Sequence, residues 1–157
     1  MNYYPIPLNL ADVTRGKRAA VEQDVRKSIH QNINLIVRTM SLSYRFDPSF
    51  GSILNKFQAA TPPQKIPERI WREQMRESIQ KNLKDMLTRY ETRIEVKDVY
   101  IDMKKPVRGD KSVVHVKVVI DGHLLLGRKE KFHYPDSEVS EEAQEVLPLM
   151  IPVGKIK

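Results

Sequence analysis

The sequence predicts an α+β domain in which two long helices pack on a small antiparallel sheet of three strands, with extended termini. Three observations predict it. Apolar residues recur at spacings of three and four in two long stretches, the pattern of helices with one buried face. Beyond residue 93 the period falls to two, as in strands. Proline-bearing segments separate these blocks and mark both ends. The predicted organisation is an extended leader over residues 1–15, a single domain over 16–135, and a C-terminal acidic segment and apolar tail over 136–157.

The first helix is read from about Arg18 to Met40, with Val21, Val25, Ile29, Ile33, Ile36, Val37 and Met40 on its apolar face. Next, Asp47 before Pro48 reads as a helix start, because the acid can cap and proline has no amide proton to leave unpaired. Phe50, Ile53, Leu54 and Phe57 would form a short apolar turn or helix that follows. "AATPPQKIP" is a loop. A second helix is predicted over Pro67–Tyr90, with Ile70, Trp71, Met75, Ile79, Leu83, Met86, Leu87 and Tyr90 facing the core. In the first strand Ile94 and Val96 are out of phase with Val99, Ile101 and Met103; a bulge near Lys97–Asp98 or a later strand start would reconcile them. The "RGD" at 108–110 then connects to "VVHVKVVI", with Val114, Val116, Val118 and Ile120 on one face. Asp121–Gly122 reads as a tight hairpin turn, and Leu124–His133 as the partner strand. Ser137 could cap a short helix, and proline argues against a central strand in "LPLMIPVGKIK".

Composition narrows the function classes. With 157 residues the chain can bury one real core. It has no cysteine, hence no disulfide framework and no thiolate nucleophile or metal site, which suits a cytoplasmic setting. No apolar run approaches the ~20 residues that span a bilayer, and "MNYYPIPLNLADV" lacks the basic start and apolar core of a signal peptide. Direct membrane insertion is therefore not expected. The formal net charge of +7 points to nucleic acid or acidic surfaces. Yet bases and acids interleave, as in "ERIWREQMRESIQKNLKD", the one tight cluster is Arg15, Lys17 and Arg18, and no nucleic-acid reading motif accompanies the charge.

The stretch "DMLTRYETRIEVKDVYID", residues 85–102, changes period halfway. At the junction stand Glu91, Thr92 and Arg93, an acid and a base where a helix hands over to a sheet. Three readings compete. The pair could be simply exposed. It could be a buried clamp, with the arginine fork donating to the glutamate and to the helix's last carbonyls. Or it could belong to an active site, since Glu91, Glu95 and Asp98 offer paired carboxylates of the kind that glycoside hydrolysis needs ~5 to 10 Å apart across a cleft. His115, His123 and His133 could approach one another on adjacent strands as metal ligands, though solvated strand histidines are commoner. No phosphate-binding glycine loop and no Ser or Cys nucleophile signature is present. The residues expect no catalytic, cofactor or metal site and no small-molecule substrate.

In order, these features resemble the baseplate wedge family of contractile injection machines, which includes the phage-tail wedge protein and the TssE-type subunit of type VI secretion. A long helix is followed by a "FDPxFG"-like segment, here "YRFDPSFG" at 44–51. A second helix then runs into a Glu-Pro-Arg motif ahead of the strands, here Glu91-Thr92-Arg93, with Thr92 in the proline's place. The resemblance covers roughly residues 18–125. It implies a structural, non-enzymatic subunit of a cytoplasmic baseplate at the inner membrane, which binds other wedge subunits and templates the contractile sheath. Its motif residues would be Glu91, Thr92, Arg93, Phe46, Pro48, Phe50 and Gly51, with Phe46 and Phe50 as anchors folding the segment onto the helices. Sheath protein would add to a sheet edge, whose unpaired amides and carbonyls accept a strand. The expected edge is Leu124–His133, carrying Leu124, Leu126, Arg128, Lys129 and Lys131, because the other edge bears the suspected bulge. The alternative is a basic adaptor domain that binds nucleic acid or an acidic protein by charge.

Overall fold

The structure is a computed structural model, and it describes residue 14 and residues 24–57, 63, 65–104, 113–125, 129–136 and 147–150. The predicted leader (apart from Thr14), the "RGD" connection, the Ser137 cap and the last residues of the tail lie outside the described residues.

Helix α1 runs Val25–Arg38. The sequence reading starts it near Arg18, but Asp24 sets the start at Val25. Its backbone is extended (φ −81°, ψ 110°), and its carboxylate accepts from the amides of Arg26 (2.8 Å) and Lys27 (3.3 Å), two of the donors a helix leaves unpaired at that end. Helix α2 runs Glu68–Tyr90, directly after Pro67. Met75, Ile79, Leu83 and Leu87, four apart, form its buried stripe. Trp71, Met86 and Tyr90 flank that stripe half-buried, while Ile70, placed on this face by the sequence, is exposed in the first turn.

Between the helices, the short turn or helix read after Asp47–Pro48 forms as a single 3₁₀ turn at Leu54–Phe57 and does not start at Asp47; residues 41–53 are turns and irregular backbone, with Ser52 bridged to Met40. Asp47 still caps locally: its carboxylate accepts from the amide (3.1 Å) and hydroxyl (2.5 Å) of Ser49, which satisfies the backbone without propagating a helix. Gly51 sits at φ 104°, and a Cβ there would lie 2.7 Å from the Thr39 carbonyl oxygen, so both conformation and space require glycine.

Four antiparallel strands follow: β1 (Ile94–Lys104), β2 (Val113–Leu124), β3 (Lys131–Tyr134) and β4 (Leu147–Met150). β2 is central. β1 pairs along one side of it; β3 and β4 share the other side, opposite Ile120–His123 and Val113–Val116 respectively. The three-stranded β1-β2-β3 path is thus joined by a short strand from the predicted tail. That strand contains Pro148 and lies at an edge, where a missing amide donor is tolerated. The helices cover one face of the sheet, burying Val99, Ile101, Val116, Val118, Ile120 and Phe132 against α1 and α2.

The phase change in β1 is a bulge: Val96 faces Gly122 and Asp98 faces Asp121, leaving Lys97 as the extra residue. It also corrects the reading of Asp121–Gly122. These residues are not a turn; β2 runs through them to Leu124, and the hairpin connection begins at Leu125. Gly122 is needed for a different reason. A Cβ there would stand 2.4 Å from the Glu95 carbonyl oxygen across the bulge. Gly122→Ala should therefore lower stability by ~1 to 3 kcal/mol, the usual range for forcing an extra carbon into packed structure. A urea denaturation midpoint equal to that of the wild type would show that the close approach is not enforced.

Candidate functional site

The last turn of α2 and the first residues of β1 form a polar centre inside an otherwise apolar joint. Glu91 is the C-cap of α2 and is 1% exposed; Arg93 is 19% exposed. The arginine fork is bidentate: Nε donates to one carboxylate oxygen (2.7 Å) and Nη2 to the other (2.5 Å), while the Arg93 amide adds a third bond (3.2 Å). Helix α1 completes the cluster. Asn32 donates to the Glu91 carboxylate (2.9 Å) and to the Tyr90 carbonyl (3.4 Å), and Arg93 Nη1 donates to the Ser28 hydroxyl (3.0 Å). The Arg93 carbonyl in turn accepts from the amide of Leu125, where the β2–β3 connection begins (2.8 Å). Thr92 forms the exposed outside of the turn.

The neighbouring residues of α2 hold the 44–51 segment. The Tyr90 hydroxyl donates to Asp47 (2.5 Å), Arg89 donates to the Ser49 hydroxyl (3.1 Å), and Phe50 meets the Tyr90 ring edge-on at 5.1 Å between centroids. These hydrogen bonds from Ser49 and Tyr90 hold the Asp47 carboxyl below its ordinary pKa. Phe50 is thus packed against the core, and Gly51 is buried. Phe46, expected as the second anchor, is instead 87% exposed. Asp47 already ties the segment down by polar bonds, and this leaves the residue before it at the tip. Pro48 is also exposed.

The predicted docking edge is broken up. Leu124 belongs to the central strand, opposite Ile94, and is buried; the hairpin extends two residues beyond the Asp-Gly pair, which carries it inside. Leu126 and Arg128 lie outside the described residues. Lys129 is exposed, 3.4 Å from Glu95. Lys131 begins β3, which among the described residues spans only Lys131–Tyr134, and its carbonyl accepts from Arg26 (3.3 Å). At the opposite edge, two side chains of α2 reach the outer carbonyls of β1: Lys84 to Lys97 (2.7 Å) and Gln80 to Val99 (2.9 Å). Further along β1, Ile101–Met103 and the first turns of α2 line an open cleft of about 430 Å³.

The suggested acids and histidines do not converge. Glu91 is enclosed in the clamp, whereas Glu95 and Asp98 are exposed on β1. Two of the acids that line the cleft, Glu68 and Glu73, pair with Arg72 and Arg76. His133 bonds Asp121 across the strands (2.7 Å), and His123 faces Lys131. Among the described residues no group of three His, Cys, Asp or Glu side chains is placed to hold a metal.

Sequence reasoning missed three residues on α1. Ser28 and Asn32 are four apart, beside the apolar stripe, which is the one signal that could have marked them as partners of a buried charge. His30 is buried, with its ring 5.2 Å from Phe132 and 5.1 Å from Tyr134, and its Nδ1 has no hydrogen-bond partner among the described residues. Burial pushes its pKa below 6.5, against the opposing charge of Asp136 and a bond to the His133 backbone.

Against known proteins, the family model for the baseplate wedge protein gp25 matches residues 23–126. No curated relative matches the chain. Among solved structures, a Geobacter sulfurreducens protein with a provisional tail-lysozyme name aligns at a TM-score of 0.50 and 16% identity, over 87% of this chain and 99% of that one. It shares the fold. A chain of the baseplate complex from the type VI secretion system aligns at a TM-score of 0.41 and 21% identity, over 65% of this chain and 82% of that one.

Arg93→Ala should destabilise the domain by ~3 kcal/mol or more, because it leaves the Glu91 carboxylate buried without its cation. Thermal melts that match the wild type would rule out the clamp. His30 predicts a separate pH dependence. Its folded pKa lies below the unfolded value near 6.5, so the neutral form is favoured by folding. Its contribution is complete above that pH and is lost as pH falls through 6.5 toward the folded pKa. Between pH 7.5 and 5.5 the wild type should lose more urea stability than His30→Phe. Parallel losses in both proteins would assign the acid sensitivity elsewhere.

Proposed function

Since the chain belongs to the baseplate wedge protein gp25 family, we propose that it is a structural subunit of a contractile baseplate, of the kind that serves type VI secretion machines and phage tails. The single observation that carries this reading is the reach of the family match. It spans α1, α2, the clamp and the β1–β2 hairpin in one continuous run. The partners follow from the class: other wedge subunits, and the first ring of contractile sheath. The expected setting is the cytoplasmic face of a membrane-associated baseplate. Among the described residues no helix is long and apolar enough to cross a membrane. The tail-lysozyme name belongs to the similar structure, and nothing in the acids described above favours carrying it over.

For sheath templating, strand addition at a sheet edge is the physical route. The outer edge of β3 is short and partly occupied by Arg26. The far end of β1 offers more free backbone. Pairing alternates along a strand, so Val99, Ile101 and Met103 turn their backbone groups away from β2. Val99 is taken by Gln80, while among the described residues nothing bonds the outward groups of Ile101 and Met103. We place the template there. Binding of nucleic acid by charge is the competing reading, and a steep salt dependence of DNA affinity would support it.

Met103→Pro removes one outward amide near the strand's end. A folded Met103→Pro protein should enter the wedge complex yet start sheath polymerisation poorly, whereas Lys131→Pro should start it normally. Normal polymerisation from Met103→Pro would remove this edge as the template.

A further inference from the structure

We propose that the Met40–Phe46 loop is a preshaped apolar knob that seats in an apolar, acid-rimmed pocket on another wedge subunit. The inference rests on the baseplate reading above and names the surface used. Met40 and Tyr44 are 50% exposed, Leu42 70% and Phe46 87%, so four large apolar side chains within seven residues meet solvent. Scattered apolar side chains on a surface are ordinary; a contiguous group on one short loop marks a contact.

This loop is held in shape. Ser41 donates to the Ser52 carbonyl (2.9 Å), Ser52 to Thr39 (2.8 Å), Leu42 to Pro48 (3.1 Å) and Ser43 to Met40 (3.1 Å). The Tyr44 ring meets Phe46 and Phe50 edge-on, and Phe50 meets Tyr90, so a chain of rings links the tip to the end of α2. A loop fixed in this way loses little freedom on binding.

Leu42 is the second, independent sign. Its φ is 71°, the left-handed region that a side chain with a Cβ rarely adopts and that glycine or asparagine would occupy without strain. The strained residue is 70% exposed, so packing among the described residues does not account for leucine at this position. Strain of this kind gathers at sites of binding.

Charge fixes the occupant. Arg38 precedes the loop by two residues, Arg45 lies within it beside Phe46, and Arg89 lies 5.2 Å over the Tyr90 ring that ends the chain of rings. The one acid of the segment, Asp47, already accepts from Tyr90 and Ser49. A second copy would bring two basic rims together, whereas an acidic rim around an apolar pocket complements this surface.

The test uses the full chain, coproduced and then titrated with each purified wedge subunit of the same baseplate. Phe46→Ser and Leu42→Ser should weaken the complex at least tenfold and leave the melting temperature unchanged. Leu42→Gly separates docking from folding: it relieves the backbone, so it should melt no lower than the wild type and still bind at least tenfold more weakly. If the wild type binds a wedge subunit and all three variants bind as tightly, the knob is overturned while the baseplate reading stands. If the wild type binds none of them, both fall. If light scattering shows a homodimer that Phe46→Ser dissolves, the loop is a self-interface and the proposal is overturned.

Discussion

A carboxylate with almost no exposure stays charged inside a small protein only if donors enclose it, and Glu91 makes that demand where α2 ends and β1 begins. The donors come from three places. Arg93 supplies the cation from the first residues past the turn, Asn32 an amide from α1, and the Arg93 backbone a further N–H. Meeting the demand therefore sets the angle between helix and sheet and the position of α1 against both. Ser28 on Arg93, and Leu125 on the Arg93 carbonyl, extend the same geometry to the start of the β2–β3 connection. A pair of this kind adds little net stability over apolar packing. What it imposes is one arrangement, because any other leaves a buried charge without partners.

The same helix end organises the exposed side of the molecule. Tyr90 and Arg89 hold Asp47 and Ser49, and Phe50 packs on Tyr90. The loop that carries Leu42 and Phe46 is thus fixed to the helix that carries the clamp. A structural subunit has to present several surfaces at fixed relative angles, and here one joint sets the angle of the sheet edge and of the apolar loop together.

Much of this was legible where a local rule had only one use. The four-residue stripe Met75–Leu87 admits only a helix; the phase change between Val96 and Val99 marked an irregularity there, a bulge or a later strand start, and the structure has the bulge. The errors fall where one residue type serves two purposes. Asp-Gly favours tight turns, but Gly122 is needed for the approach of the Glu95 backbone, and only the bulge across the sheet reveals that use. Aromatic residues usually mark the core, yet Asp47 and Phe50 already secure their segment and leave Phe46 outside. His30 sits among the apolar residues of α1, and no periodicity tells a buried histidine from a solvated one. β4 was not read from the sequence because proline argues against a central strand, and Pro148 is accommodated only by an edge position beside β2.

The unequal standing of the motif residues has the same origin. Glu91 and Arg93 could be paired from sequence because they are two apart at a junction, but Ser28 and Asn32 are some sixty residues away and polar, and nothing local ties them to it. The most direct measurement is a double-mutant cycle on Glu91→Leu and Arg93→Met by urea denaturation. Each single change should cost several kcal/mol while the double change costs much less than their sum, with a coupling of ~2 kcal/mol or more. Additive losses would mean that the two groups do not act as one buried pair, and that the joint is held by its apolar packing alone.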